Sequence, residues 1–150
     1  MSVPNHHRAG PLPDDWVLPV VDDFNREWFT SGAITLQQCT GCATLQHPPE
    51  EICHVCGSMT FVPHAVAPAG VVHSYTIVHH SVHPALDAAV PYAVVLIALD
   101  DAPRLRVVGN LIGVPVTDVR IGMSVAAIWE ELADADGSPV FLPQWQRGET

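Results

Sequence analysis

The sequence contains no lysine. Its six basic residues are all arginines and face sixteen aspartates and glutamates, so the formal net charge is −10 at pH 7. Nucleic-acid affinity draws mainly on cationic side chains that displace counterions from the phosphate backbone. Because the chain has so few cations, we expect it to have no nucleic-acid partner.

Long apolar runs are also missing. No stretch approaches the roughly 20 residues that a membrane-spanning helix needs. The N-terminal residues do not show the basic start and apolar stretch of a secretory signal. We therefore expect a soluble, cytoplasmic protein without membrane association. Hydrophobic residues make up 48% of the chain, which is enough to form a packed core.

Common catalytic motifs are a third absence. The chain has no G-x-S-x-G elbow and no glycine-rich phosphate loop. His73, His79, His80 and His83 could serve acid–base chemistry in an independent hydrolase or hydratase. No carboxylate or nucleophile is paired with them by spacing, so a polar strand end is the simpler interpretation. The sequence therefore favours a chain that is not an enzyme by itself.

Cysteine is scarce, but its four copies form two Cys-x-x-Cys pairs separated by ten residues: Cys39, Cys42, Cys53 and Cys56. In a reducing compartment such pairs indicate a metal site before disulfides. Four thiolates suit tetrahedral zinc, while a rubredoxin-like iron site and two disulfides remain alternatives. All four coordination positions would be filled, so we expect the metal to be structural.

The chain changes to a β pattern after the second cysteine pair. Short segments rich in β-branched and apolar residues predict strands, separated by turn residues. They cover residues 60–67, 71–78, 92–99, 104–108 and 125–132, with a short strand at 140–142. Strands of this length and spacing are typical of a small barrel. Five of them closing on themselves would form an OB-fold.

The N-terminal part differs from the rest. Residues 1–13 are rich in proline and predict an arm. Asp22 and Asp23 are expected to cap a short helix that carries Trp28. The predicted fold is mainly β: an N-terminal helix and rubredoxin-like zinc ribbon, followed by a five-stranded OB-fold barrel. The expected domains are 1–66 (arm, helix and ribbon) and 67–150 (barrel and C-terminal tail).

An ordered set of segments between residues 24 and 145 resembles a known family. These segments are FNREWFTSGAITLQQCTGC, HPPEEICHVCGS, GVVHSYTIVHH, PYAVVLIALDDAPRL, RIGMSVAAIWEEL and PVFLP. Together they resemble the acyl-CoA-associated family that joins a zinc ribbon to an OB-fold, known as domain of unknown function thirty-five. The family often has glycine after the first cysteine pair, where this chain has Ala43.

The resemblance implies a non-catalytic accessory subunit. Family members are usually partners of thiolase-superfamily enzymes (thiolases, aldolases or acyltransferases), and some assemble with hotdog-fold hydratases. The partner carries the catalytic residues, while the zinc-ribbon protein supports assembly and helps to bind or channel acyl-CoA. A hetero-oligomer in lipid or steroid metabolism would fit. The alternative is a stand-alone OB-fold module for acyl-CoA or single-stranded nucleic acid.

Three residues are candidates for contact with acyl-CoA. Arg104 and Arg106 would share one face of a predicted strand, because strand side chains alternate with a period of two. Together with His79 they could meet coenzyme A phosphates. Alternatively, the two arginines lie on a solvent-exposed strand edge and offset the charge of nearby aspartates. The same two interpretations apply to Arg120.

Two tryptophans are candidates for a partner interface. Trp28 and Trp145 lie in the terminal aromatic groups of the sequence. Tryptophan is favoured near the dry centre of interfaces, and each could equally belong to the core.

Overall fold

The computed structural model describes residues 17–149, so the expected arm over residues 1–13 lies outside the described residues. The fold is mainly β, as predicted. The described residues form α1 (Arg26–Thr30), β1 (Thr35–Cys39), β2 (Leu45–Gln46), β3 (Phe61–Ala65), β4 (Ala69–Val78), β5 (Tyr92–Leu99), β6 (Arg106–Ile112), β7 (Ser124–Ala133) and β8 (Pro139–Arg147). Short 3₁₀ turns lie at Pro84–Leu86 and Val116–Asp118.

The ribbon is a three-stranded antiparallel sheet in the order β2-β1-β3. β3 pairs with β1 along its length, from Thr35 opposite Ala65 to Cys39 opposite Phe61. The strand expected at residues 60–67 therefore belongs to the ribbon sheet. Because Cys39 ends the central strand, its sulfur has a fixed position at the edge of the metal centre.

The other five strands form a closed barrel in the order β4-β5-β6-β8-β7. β6 and β8 pair in parallel at Leu111–Trp145 and Ile112–Gln146, and all other barrel pairs are antiparallel. A five-stranded barrel with one such parallel contact has OB-fold topology. The predicted barrel is confirmed.

Two barrel strands differ from their predicted bounds. β6 begins at Arg106 and runs to Ile112, whereas residues 104–108 were expected. β8 covers Pro139–Arg147, much longer than the predicted 140–142. Pro143 lies inside it, opposite Trp129. Proline lacks an N–H and is usually found at the ends or edges of strands. The sequence pattern therefore predicted a strand that stops before Pro143.

The predicted short helix carries Trp28, as expected, but it is not capped by the expected aspartates. α1 has five residues, and Asn25 occupies its N-cap position. The Asn25 Oδ1 atom accepts a hydrogen bond from the Asp22 backbone N–H (2.7 Å), and its Nδ2 donates to the Val20 carbonyl (3.0 Å). Asn25 thus closes the turn before the helix. No helix within residues 17–149 is long and apolar enough to cross a bilayer.

One hydrophobic core connects the ribbon to the barrel. Trp28, Ile34 and Leu36 from the N-terminal part belong to the same buried cluster as barrel residues such as Ile97 and Trp145. Trp28 is 7% exposed and Trp145 is 0% exposed. Their indoles are already covered by the chain's own residues. Both side chains therefore pack in the core, which is one of the two alternatives that the sequence left open for each.

Candidate metal centre

The first knuckle is shaped by backbone hydrogen bonds around Cys39. Its N–H donates to the Thr44 carbonyl, and its carbonyl accepts from the Ala43 N–H, both at 2.9 Å. The Gly41 N–H points at the Cys39 sulfur at 3.3 Å. These bonds curl the Cys-x-x-Cys segment so that Cys42 faces the same point as Cys39.

The second knuckle repeats this geometry. The Cys53 N–H donates to the Ser58 carbonyl (2.8 Å), and the Cys53 carbonyl accepts from the Gly57 N–H (2.9 Å). Gly57 has φ +75°, and Ala43, its counterpart in the first knuckle, has φ +60°. Both turns thus require the left-handed conformation that glycine adopts at little steric cost.

The four sulfurs converge in a way that fits tetrahedral zinc. The Cys39 and Cys56 sulfurs are 3.5 Å apart, and those of Cys42 and Cys53 are 3.7 Å apart. All four lie within 4.8 Å of one another. Four Zn–S bonds of about 2.3 Å imply sulfur separations of about 3.8 Å. The four cysteines form no disulfide. Their sulfur–sulfur distances are far longer than the roughly 2.05 Å of a disulfide bond.

The hydrogen bonds set different pKa values for the thiols. Burial raises the pKa of Cys39, but the N–H groups of Cys42 and Gly41 outweigh it and bring that pKa to about 6. A contact with the Thr44 side chain lowers the pKa of Cys42. The Ser58 N–H lowers the pKa of Cys56, but the neighbouring sulfurs raise it to about 12. Four thiolates crowded together need a cation to neutralise their charge.

A buried glutamine supports the centre from β1. Gln37 is 7% exposed. Its Nε2 donates to the carbonyls of Phe24 (3.0 Å) and Glu50 (2.9 Å). Its Oε1 accepts from the Glu50 N–H (2.9 Å) and from Gln46 Nε2 (3.0 Å). Gln37 therefore ties three segments together: the residues before α1, the loop between the cysteine pairs, and β2.

Gln46 continues this network toward the second cysteine pair. Its Oε1 lies 2.9 Å from His54 Nδ1 and accepts a bond from the His54 N–H at 3.3 Å. Its Nε2 donates to the Ile52 carbonyl at 3.3 Å. His54 thus helps to hold the segment around Cys53. The sequence offered no signal for either glutamine, because both act through long-range contacts.

His47, which directly follows β2, is not one of the converging metal ligands. Its ring centroid lies 4.2 Å from that of Trp28. Burial lowers the pKa of His47 to about 4, so the ring is neutral at pH 7. Its Nδ1 is buried and has no hydrogen-bond partner among the described residues.

His79 lies far from the two arginines that were predicted to contact acyl-CoA with it. His79 is exposed just after β4, whose last residue pairs with Tyr92. Arg106 lies opposite Ala98, near the other end of β5. Six residues of strand separate these positions by about 20 Å. The structure therefore does not bring His79 and Arg106 into one site.

Arg104 and Arg106 do not share a strand face either. Arg104 lies in the turn before β6, so the premise of strand alternation is corrected. The Arg106 Nη1 atom donates to the carbonyls of Pro103 and Leu105. This guanidinium thus closes the turn that precedes its strand.

The histidines after β4 form no comparable centre. Within residues 17–149, the only group of three or more His, Cys, Asp or Glu side chains whose ligand atoms converge is the four-cysteine group. The His83 Nδ1 atom accepts a bond from the Ala85 N–H and begins a 3₁₀ turn.

The fold and the metal centre together define a class of protein: a rubredoxin-like zinc ribbon packed on an OB-fold barrel. Residues 30–62 match the family "ChsH2, rubredoxin-like zinc ribbon domain", and residues 63–130 match "ChsH2, C-terminal OB-fold domain". The chain belongs to the family of ChsH2-type zinc-ribbon and OB-fold proteins, also called DUF35. The resemblance found in the sequence is confirmed, and the zinc-ribbon match supports zinc as the structural metal.

Curated relatives and a solved structure agree with this assignment. A "Probable enoyl-CoA hydratase alpha subunit" of Thermomonospora curvata is 37% identical, with 83% of this chain aligned. The chain spans only 39% of that relative's length. A "DUF35 domain-containing scaffold protein" of Methanocaldococcus jannaschii is 30% identical over 65% of this chain and 67% of the relative. The structure "Ltp2-ChsH2(DUF35) aldolase" matches with a TM-score of 0.71 and 34% identity, covering 87% of this chain and 98% of that one.

Proposed function

We propose that this chain is a non-catalytic accessory subunit that assembles with a thiolase-like enzyme and helps to form or channel an acyl-CoA site. The observation that carries this proposal is the match to a chain of the structure named "Ltp2-ChsH2(DUF35) aldolase". The match covers 98% of that chain. The relative named a scaffold protein supports a role in assembly. The expected product is a hetero-oligomer.

The metal centre contributes structure to this role. Cys39, Cys42, Cys53 and Cys56 would hold the zinc, and four thiolates leave no position for water or substrate. Bound zinc supplies no reaction step in such a site. It would hold the two knuckles at the end of β1 and so keep the surface of the ribbon in one shape. Carbon–carbon bond cleavage or formation would belong to the partner enzyme.

A hydratase is a second kind of partner within the same proposal. The relative from T. curvata carries the name of an enoyl-CoA hydratase subunit and is much longer than this chain. Its additional length leaves room for a second domain. In that arrangement the part of the relative that corresponds to this chain would be joined to a hydratase domain. Aldolase and hydratase partners would then both act on acyl-CoA thioesters.

Co-expression with a thiolase-like enzyme encoded beside this chain tests the proposal. We expect the two proteins to co-elute on size exclusion, with a mass that light scattering assigns to a hetero-oligomer. The complex should act on acyl-CoA thioesters, while this chain alone should not. Each protein run separately provides the control. Separate elution of the two would contradict the proposal and favour a stand-alone binding module.

A further inference from the structure

A depression of about 460 Å³ lies where the end of β8 meets the segment before β7. Arg120 and Arg147 both line it. Arg147 is opposite Val125 in the β7–β8 ladder, and the Gly148 N–H donates to the Ser124 carbonyl at 2.9 Å. These bonds hold the end of β8 beside residues 120–124.

The charge of this depression is opposite to that of the chain. Two arginines line it, whereas no aspartate or glutamate among residues 17–149 does. Within residues 17–149, neither arginine forms an ion pair; the described ion pair joins Arg26 and Asp23. Two neighbouring cations repel each other, and an anion that bridges them removes this repulsion.

Arg120 is pre-oriented for a ligand. Its Nη1 donates to the carbonyls of Thr117 and Val119, both at 2.7 Å. These two bonds use the donors of Nη1 and fix the orientation of the guanidinium plane. The Nη2 and Nε donors have no partner among the described residues and remain available for a phosphate oxygen. Less side-chain entropy is lost when a held guanidinium binds.

The backbone at Gly122, which lines the depression, is open to a ligand. Gly122 has φ +87°, and a Cβ atom added there would meet nothing within 4 Å. The neighbouring Ile121 is 70% exposed. An apolar side chain beside two cations suits a ligand that joins a phosphate to an apolar or aromatic group.

We propose that this depression binds a nucleotide-linked phosphate group, such as a phosphate of coenzyme A. The inference rests on the acyl-CoA part of the proposed function and assigns the phosphates to Arg120 and Arg147. Arg104, Arg106 and His79 then have no part in this contact.

An NMR titration of the zinc-loaded full chain at constant ionic strength tests the site. The probes are coenzyme A, pyrophosphate and pantetheine, which lacks the nucleotide and its phosphates. We expect coenzyme A to shift the amide signals of Gly122 and Gly148 and the side-chain Nε–H signals of Arg120 and Arg147. Pantetheine should leave these signals unchanged.

Single substitutions give the second half of the test. Arg120→Gln and Arg147→Gln should each weaken coenzyme A binding about tenfold, the effect of losing one charged hydrogen bond. Arg26→Gln removes the same charge on α1 and should leave affinity unchanged. Arg104→Gln should also have no effect.

Several results would overturn this site. Coenzyme A could leave the Gly122 and Gly148 signals unshifted, or Arg26→Gln could weaken binding as much as Arg120→Gln. A response to pyrophosphate without one to coenzyme A would indicate free phosphate binding and would also overturn the proposal. If Arg104→Gln alone weakened binding, the ligand would bind at the β5–β6 turn. In that case this site would fail while the proposed acyl-CoA role would stand, and co-elution with the partner enzyme tests assembly separately.

Discussion

Ala43 is a residue in the left-handed region where its counterpart in the second knuckle is a glycine. Its φ is +60°, and that of Gly57 is +75°. The Ala43 N–H must still reach the Cys39 carbonyl to close the turn. A Cβ atom in this conformation is close to backbone oxygen, which costs about 1–2 kcal/mol. The metal centre is formed at the expense of this strain.

Replacing Ala43 by glycine should therefore stabilise the protein. We expect Ala43→Gly to raise the free energy of unfolding by about 0.5–1 kcal/mol, after allowing for the greater entropy of glycine in the unfolded chain. Denaturant unfolding of the zinc-loaded protein measures this change. Gly57→Ala is the matched control and should destabilise by at least as much. A loss of stability in Ala43→Gly would contradict the strain.

His47 should make stability depend on pH. Its folded-state pKa of about 4 lies below the ordinary 6.5, so between these values the unfolded chain binds more protons. The contribution is fully present above pH 6.5 and is lost as the pH falls toward 4. At about 1.4 kcal/mol per pKa unit, acidification from pH 7.5 to 5 should remove about 2 kcal/mol.

The variant His47→Phe isolates this effect. Phenylalanine keeps an aromatic ring against Trp28 but does not titrate. Acid also protonates the cysteine ligands, but this occurs in both proteins. We expect the unfolding free energy of wild type minus that of His47→Phe to fall by about 2 kcal/mol between pH 7.5 and 5. A difference that does not change with pH would show that His47 is not held neutral by burial.

At the scale of elements, the ribbon strands depend on polar side chains inside the sheet. β1 and β2 are joined by few backbone bonds, since β2 has only two residues. Gln37 and Gln46 bridge the two strands through buried side chains. They also bind the loop that separates the cysteine pairs. The spacing of the two knuckles is therefore held by this glutamine pair as well as by the metal.

Gln37→Leu should test this role. Leucine fills similar space but leaves the Phe24 carbonyl and the Glu50 N–H and carbonyl without a partner. The bonds to these three backbone groups are only partly buried, so each lost partner costs about 1 kcal/mol and we expect a loss of about 2–4 kcal/mol in denaturant unfolding. Gln38→Leu is the control, because Gln38 makes a single long bond to the Ala43 carbonyl (3.5 Å) and should lose less than about 1 kcal/mol. Equal losses would contradict a special role for Gln37.

At the scale of the whole molecule, the ribbon and the barrel share one core but are held by different means. The barrel closes through strand pairing and buried apolar side chains. Between β1 and Ser58 the only strand is the two-residue β2, so the metal must provide much of the stability of this segment. The two parts should therefore respond differently when zinc is removed.

Hydrogen exchange after treatment with a strong chelator measures this difference. We expect amides of residues 39–58 to lose protection while those of β5 remain protected. Adding zinc back should restore the lost protection and serves as the control for damage by the chelator. If residues 39–58 keep their protection without metal, the proposed coupling between zinc and ribbon folding is wrong.

The sequence alone determined the features that depend on neighbours in the chain. The two Cys-x-x-Cys turns are local, so the ligand set Cys39, Cys42, Cys53 and Cys56 could be read from spacing. β5 was predicted over residues 92–99, because an unbroken apolar run between turn residues is a local signal. Family membership followed from the order of such segments.

Only the tertiary structure decided which distant residues meet. Pro143 made β8 look shorter in the sequence, because proline usually marks a strand end. Its pairing with Trp129 of β7, which extends the strand past it, is visible only in the structure. Trp145 belongs to the core because the strands of a closed barrel surround it, whereas the sequence left the core and an interface equally open. Arg120 and Arg147 are 27 positions apart in the sequence and line one depression only because β8 returns beside the start of β7. Side-chain convergence of this kind depends on strand register, which local patterns do not specify.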